Sequence, residues 1–178
     1  MKVALDFIIH IDDVAVDADT LLADIEKYKG AFSQASDIKG AVITIFDGET
    51  YNSDYSDPLL RLSSQWISKL PWVLGGDTET VALRNSEHCY AFMPAGDSVE
   101  LSFFAGSENE VEEYVIEPST IRLDAFANES IKLCERILDV IKALNSSLLE
   151  DDEDCRELIT SLNEGRDAWR DHQLHTRR

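Results

Sequence analysis

The sequence predicts an α+β protein in which helices pack on one face of a mainly antiparallel sheet, with a single domain over residues 1–170. Three features lead to this prediction. Strand-like segments alternate with helical periodicity in the first 70 residues, four more strand-like segments follow in close succession, and a long amphipathic helix comes after them. The chain has 178 residues, 44% of them hydrophobic, which suffices for a core without metal ions or disulfides.

The first elements are a strand, a helix and a second strand. Apolar side chains alternate along residues 3–9, which is the periodicity of a strand. From Asp17 onward the period becomes helical, and an acidic residue suits the start of a helix, so we expect a helix over residues 18–34. The β-branched run at 41–46 ends in the turn signal Asp47-Gly48 and therefore predicts a central strand.

A second helix is predicted from Asp57-Pro58 to Pro71. Asp57 is a typical N-cap residue, proline is favoured at the first helical position, and apolar side chains follow at helical spacing. Trp66 falls on the apolar side of this helix and is expected in the core. Trp72 comes just after the helix and is expected to be more exposed.

Four strand-like segments separated by turn residues predict an antiparallel meander. They span residues 80–84, 88–93, 98–104 and 111–117. In the third segment apolar residues alternate with mostly polar ones, so we expect one face of the sheet to be solvated.

The last part of the chain is predicted to be helical. Apolar residues recur at helical spacing over residues 129–147, which indicates a long helix packed on the sheet. The acidic run 150–154 separates it from a weaker helix over residues 153–168. Residues 171–178 are expected to form a frayed tail.

The charge balance is the most informative feature for function. The chain has 35 acidic residues against 16 lysines and arginines, for a net charge of −19. Fourteen of the acids but only three of the bases lie between residues 40 and 121. Because phosphates and anionic lipids are bound by lysine and arginine, direct binding to nucleic acid or to a membrane is not expected. The acidity favours a basic protein partner.

The cysteines and the N-terminus indicate a reducing, cytoplasmic location. Cys89, Cys134 and Cys155 are odd in number and widely spaced, so no disulfide framework is predicted. The N-terminal segment does not read as a signal peptide, since Asp6 interrupts its apolar run. No apolar stretch approaches the roughly 20 residues that span a bilayer.

No residue pattern matches a common catalytic, metal or cofactor motif, so we expect neither an enzyme nor a bound cofactor. His10 and Asp12 share a strand face and could hold a divalent metal ion with another acid. No second histidine lies nearby in the sequence, so we expect them instead to cap the end of the first strand. The oxygen-bearing side chains of residues 47–57 do not follow the calcium-loop pattern. Residues 75–77 lack the lysine and further glycines of a phosphate-binding loop.

Tyrosines and tryptophans are interspersed with the acids of the middle region, and such residues often anchor interfaces. The sequence therefore predicts a partner-binding surface. We assign to it Glu49, Tyr51, Asp54, Tyr55, Trp72, Asp77, Glu79, Glu108, Glu110, Glu112 and Glu113.

The chain resembles the bacterial immunity proteins of contact-dependent inhibition and other polymorphic toxin systems. The resemblance lies in its small size and acidity, in a long amphipathic helix, and in the stretches before that helix, DPLLRLSSQWISKLPWVLGGD and VEEYVIEP. The resemblance implies neutralisation of a cognate toxin, often a basic nuclease, by occlusion in a one-to-one complex. Two alternatives stay open: a regulatory or DNA-mimicking protein of a mobile element, and an enzyme with a site built from scattered acids.

Overall fold

A computed structural model describes residues 1–52 and 54–176 of the chain. In chain order the elements are β1 (Val3–Ile11), β2 (Val14–Asp17), α1 (Ala18–Ala23), α2 (Ile25–Tyr28), a short 3-10 helix (Ala35–Asp37), β3 (Lys39–Phe46), β4 (Glu49–Tyr51), β5 (Asp57–Pro58), α3 (Leu59–Ser68), α4 (Leu70–Gly75), β6 (Glu79–Ala82), β7 (His88–Ala95), β8 (Ser98–Ser107), β9 (Glu110–Arg122), α5 (Leu123–Leu144), α6 (Leu148–Asp151) and α7 (Glu153–Thr176). The strands pair antiparallel and the helices pack on one side, which confirms the predicted α+β class.

The strands form two sheets rather than the single sheet that the sequence suggests. The first has the order β2-β1-β3-β4, with β5 paired to the start of β3. Its first hairpin turns at Asp12 and Asp13, both with positive φ, so Asp12 lies in the hairpin turn and β1 ends at Ile11. Strand β2 lacks a distinct sequence signal because it contributes only four residues.

The second sheet is the predicted meander, with the order β6-β7-β8-β9. Val99, Leu101 and Phe103 of β8 are fully buried in the core, in agreement with the alternation in the sequence. On the opposite face Ser102 and Phe104 are buried as well, so the expectation that this face is solvated is only partly correct. Strand β9 forms one edge of this sheet, and residues 110–114 on it are all exposed.

Buried side chains join the two sheets. Asn52 donates from Nδ2 to the hydroxyl of Tyr90 over 2.9 Å, and that hydroxyl donates to the carbonyl of Val42 over 3.2 Å. Asp57, 1% exposed, accepts hydrogen bonds from the backbone N–H groups of Arg84 and Asn85, each 2.8 Å long. Burial raises the pKa of both the Tyr90 hydroxyl and the Asp57 carboxyl. The prediction that Asp57 is an N-cap is therefore wrong, since its carboxylate bonds to the second sheet and Pro58 precedes the helix.

The helices cover the sheets in two layers. Helices α3 and α5 contact the strands, and α7 packs on the far side of α3 and α4. Trp66 of α3 is 1% exposed, as predicted; its ring packs edge-on against Tyr90 and Phe92, and its indole N–H donates to Ser130 over 2.9 Å. Within the described ranges, none of the helices is long and apolar enough to cross a membrane.

Several helix boundaries differ from the sequence prediction. The helix expected over residues 18–34 is two short ones, because the backbone leaves helical geometry at Asp24 and takes positive φ at Gly30. The second helix was expected to end at Pro71, but α3 ends at Ser68 and Pro71 lies in the first turn of α4. A proline is tolerated there because its missing N–H costs no hydrogen bond.

The long helix predicted from residue 129 begins at Leu123, directly after β9. Residues 171–176, expected in a frayed tail, continue α7, where the ring of His172 stacks on Trp169. The rest of that predicted tail, residues 177 and 178, lies outside the described residues.

Gly165 sets the distance between α7 and α3. A Cβ at this position would lie 3.0 Å from Cγ1 of Ile67, which is itself fully buried.

We expect Gly165→Leu to lower the free energy of unfolding by about 2 kcal/mol, because overpacking outweighs the better helix propensity of leucine. Urea unfolding measures this change. Glu164→Leu, at the exposed neighbouring position, is the matched control and should change stability by less than about 0.5 kcal/mol; equal losses would contradict close packing at Gly165.

Candidate partner-binding surface

Five exposed glutamates gather where two turns of the second sheet meet. The β6–β7 and β8–β9 turns lie at the same end of the meander, and Gly106 donates its N–H to the carbonyl of Glu87 over 2.9 Å. We call this group the acidic end; it consists of Glu87, Glu108, Glu110, Glu112 and Glu113. In the part of the chain that the structure describes, none of the five forms an ion pair.

The turn between β8 and β9 depends on glycine. Gly106 has φ of +130°, and a Cβ there would overlap the carbonyl oxygen of Glu110. A side chain at this position would force the two strands apart. Gly106 therefore holds Glu108 and Glu110 in the turn geometry that the structure shows.

The face of the second sheet opposite the helices carries little charge. Because successive side chains of a strand point to opposite faces, the residues that follow or precede each core residue in β6, β7 and β8 point to this face. They form three rows across the sheet, which are Ala82, Cys89, Phe104 and Tyr114; Thr80, Ala91 and Ser102; and Met93, Glu100 and Thr120. Met93 and Tyr114 are 49% and 39% exposed. A face with exposed Met93 and Tyr114, whose three rows contain Glu100 as their one charged residue, thus borders the acidic end.

A cavity of about 400 Å³ opens at the acidic end, and we call it the sheet-end cavity. Residues 82–83, 86–89 and 106–108 line it together with Glu110 and Glu112. The volume lies within the range of small-ligand pockets, about 300–1,000 Å³.

The sheet-end cavity contains serine, histidine and cysteine side chains but lacks the geometry of a nucleophile with its base. Burial, and then the negative charge of Glu108, raises the pKa of the Cys89 thiol, which keeps it protonated and poorly nucleophilic. Ser86 Oγ and His88 Nδ1 have no hydrogen-bond partner within the described ranges, so they do not activate each other. Across residues 1–52 and 54–176 no three histidine, cysteine or acidic side chains are grouped to hold a metal ion.

Of the residues of the first sheet and its following loop that are also predicted to contact a partner, Tyr55 lies at this end of the second sheet. The Tyr55 ring is half-buried against His88 and Phe103, with centroids 4.6 and 5.0 Å away. Asp54 is exposed next to it. On β4, Tyr51 donates its hydroxyl to Glu49 over 2.9 Å, and this bond raises the pKa of the Tyr51 hydroxyl.

Trp72, Asp77 and Glu79 are on a different part of the surface. Trp72, on α4, is 59% exposed, as the sequence suggested, and Asp77 is exposed after that helix. Glu79 begins β6 and pairs with Lys69 over 2.8 Å. Its charge is therefore already neutralised within the molecule, whereas the acidic end retains its full charge.

Sequence reasoning missed Ser86, Glu87, His88 and Met93. In a meander, alternate turns lie at the same end of the sheet, so the predicted strands already implied that Glu87 would lie near Glu108. The exposure of Met93 likewise follows from strand alternation. The half-burial of His88 depends on Tyr55, which is distant in sequence, and could not be read from local pattern.

Comparison with known proteins adds no relative to this picture, since no family model, curated protein or solved structure matches the chain.

Proposed function

We propose that the protein binds a basic protein partner at the acidic end of the second sheet and inhibits that partner by covering its functional surface. The observation that supports this most is the set of five exposed glutamates without ion pairs beside the weakly charged face that carries Met93 and Tyr114. Interfaces commonly combine a neutral centre, rich in tyrosine and methionine, with a polar rim.

The mechanism is electrostatic steering followed by occlusion. The net charge of −19 attracts a basic partner, and the acidic end orients it as it approaches. The carboxylates then pair with the lysines and arginines that the partner uses to bind phosphate groups. Occlusion of this kind needs no catalytic group on the inhibitor.

The partner that best fits this chemistry is a cognate toxin, often a basic nuclease in the immunity systems that the chain resembles. Coexpression with a toxin encoded beside it is expected to protect the cell, and purification is expected to yield a one-to-one complex. Failure of both would contradict the proposal. A DNA mimic would instead bind several unrelated DNA-binding proteins, and a binding assay against a panel of them separates the two functions.

Reversing charge at the acidic end tests the binding surface. We expect the triple substitution Glu110→Lys, Glu112→Lys and Glu113→Lys to slow association with the partner at least about tenfold at low salt, because steering depends on local charge. Stopped-flow measurements at low and high salt give the rates.

A control of equal charge change separates local from overall charge. Glu157→Lys, Glu164→Lys and Asp171→Lys change exposed acids of α7 by the same six units. This variant is expected to slow association much less. Equal slowing in the two triple variants would show that only net charge matters and would contradict the acidic end as the contact surface.

A further inference from the structure

The sheet-end cavity brings together glutamates that form no ion pair within the described residues. Four of its lining residues are glutamates, namely Glu87, Glu108, Glu110 and Glu112, and no lysine or arginine lines it. One of them, Glu108, also borders a neighbouring depression lined by Arg61, Lys69 and Arg84. A concave site lined by one sign of charge focuses the field at its centre. The cavity is therefore suited to a positively charged group.

Two further polar atoms of the lining residues have no partner. Ser86 Oγ and His88 Nδ1 are inaccessible to solvent, and neither is hydrogen-bonded to any part of the chain that the structure describes. Buried polar atoms normally have a partner, so a donor that enters the cavity can satisfy the Ser86 hydroxyl when this short side chain rotates toward it. A serine hydroxyl can accept a hydrogen bond from such a donor.

The histidine ring is held in place before any ligand arrives. Its centroid lies 4.6 Å from that of Tyr55, and it stacks on Phe103 at 5.4 Å with an interplanar angle of 22°. Phe103 is fully buried. A ring packed on two sides loses little further freedom on binding, which favours affinity.

We propose that the sheet-end cavity receives one arginine side chain of the basic partner; this inference rests on the proposed function. A guanidinium group is planar, keeps its charge, and carries five N–H donors and no acceptor. It can bond to a carboxylate at the cavity mouth and to a neutral acceptor inside it at the same time. Lysine has its three donors on one nitrogen and is expected to bind less well. Arginine is also among the residues that most often dominate interface energies.

A pair of small cations tests the inference without the partner. Butylguanidinium and butylammonium carry the same charge and chain, and differ only in the head group. Titrated into the ¹⁵N-labelled protein at low ionic strength, butylguanidinium is expected to shift the amide resonances of residues 86–89 and 106–112 and to bind more tightly than butylammonium.

Variants of the lining residues show whether the probe enters the cavity. We expect Glu108→Gln with Glu110→Gln to raise the dissociation constant for butylguanidinium about tenfold, since a hydrogen bond to a charged group is worth about that factor. Ser86→Ala should weaken binding while leaving the thermal midpoint unchanged, because its hydroxyl has no partner to lose. Glu113→Gln with Glu117→Gln, on β9 but outside the cavity lining, removes the same two charges; this matched control should bind as the parent does.

Several results would overturn the inference. These are no resonance shifts, equal binding of the two cations, or equal weakening by the control variant Glu113→Gln, Glu117→Gln and by the cavity variant. A partner that binds the Glu108→Gln, Glu110→Gln variant as tightly as the parent would also overturn it, although the proposed function would stand. If butylguanidinium binds in the cavity but no basic protein is neutralised, the cavity assignment stands and the proposed function fails.

Discussion

Trp66→Ala is expected to lower the free energy of unfolding by about 3–5 kcal/mol, the cost of removing a large buried aromatic side chain. Trp66 is fully buried between α3 and the second sheet, with ring centroids 4.8 Å from Tyr90 and 4.6 Å from Phe92. Its removal also leaves the Ser130 hydroxyl without its donor. Because domains of this size have only about 5–15 kcal/mol of stability, the loss takes a large part of the total.

Trp72→Ala is the matched control for this change. Trp72 is 59% exposed on α4, so the same substitution should alter stability by less than about 1 kcal/mol. Urea unfolding followed by far-ultraviolet circular dichroism measures both variants without relying on tryptophan fluorescence. Similar midpoints for the two variants would contradict the placement of Trp66 in the core.

Asp57→Ala is expected to cost about 3 kcal/mol, the second large effect. The substitution removes the acceptor of two part-buried hydrogen bonds from the N–H groups of Arg84 and Asn85, and a hydrogen bond to a charged group contributes about 1.5–3 kcal/mol. Asp57→Asn retains an acceptor oxygen and should lose less. Urea unfolding of the two variants gives the difference, and an equal loss would show that the two hydrogen bonds are not the source of the stability.

Asp57 also makes stability depend on pH. Its pKa in the folded protein is raised above the ordinary 3.8, chiefly by burial, so the folded state favours the protonated carboxyl. The contribution of this group to stability is therefore fully present below about pH 3.8 and is lost as the pH rises through the raised value. Asparagine does not titrate, so only the parent loses this contribution as the pH rises. The difference in the free energy of unfolding between the parent and Asp57→Asn should therefore shift in favour of the variant from pH 4 to pH 7. A constant difference across that range would contradict the raised pKa.

Much of the fold followed from local pattern. The meander, the central strand β3 and the position of Trp66 were predicted because alternation and helical spacing report directly on which side chains are buried. The division into two sheets was not predicted, because it is decided by contacts such as Tyr90 with Val42 that join distant parts of the chain. Asp57 shows the same limit, since Asp-Pro is a strong local signal for a helix start that a tertiary contact overrode.

The candidate surface was only partly accessible to sequence reasoning. Glu108, Glu110, Glu112 and Glu113 could be selected because they form a charge cluster within a few residues of a predicted turn. Glu79 met the same criterion, but it is neutralised by Lys69, and such a pairing depends on the packing of α3 against β6. The sheet-end cavity and the unpartnered atoms of Ser86 and His88 in its lining are visible only in three dimensions.

The exposed edge of the second sheet has a consequence for solubility. Strand β9 offers unpaired backbone groups along its outer side, and an open edge of this kind can pair with the same edge of another molecule. Glu110, Glu112 and Glu113 place like charges on both copies and repel such pairing, and Pro118 has no N–H to donate to it. The carboxylates proposed to recognise a partner therefore also oppose aggregation through β9. Replacing these three glutamates with lysine or arginine would keep like charges on both copies and preserve the repulsion, whereas neutral residues would remove it.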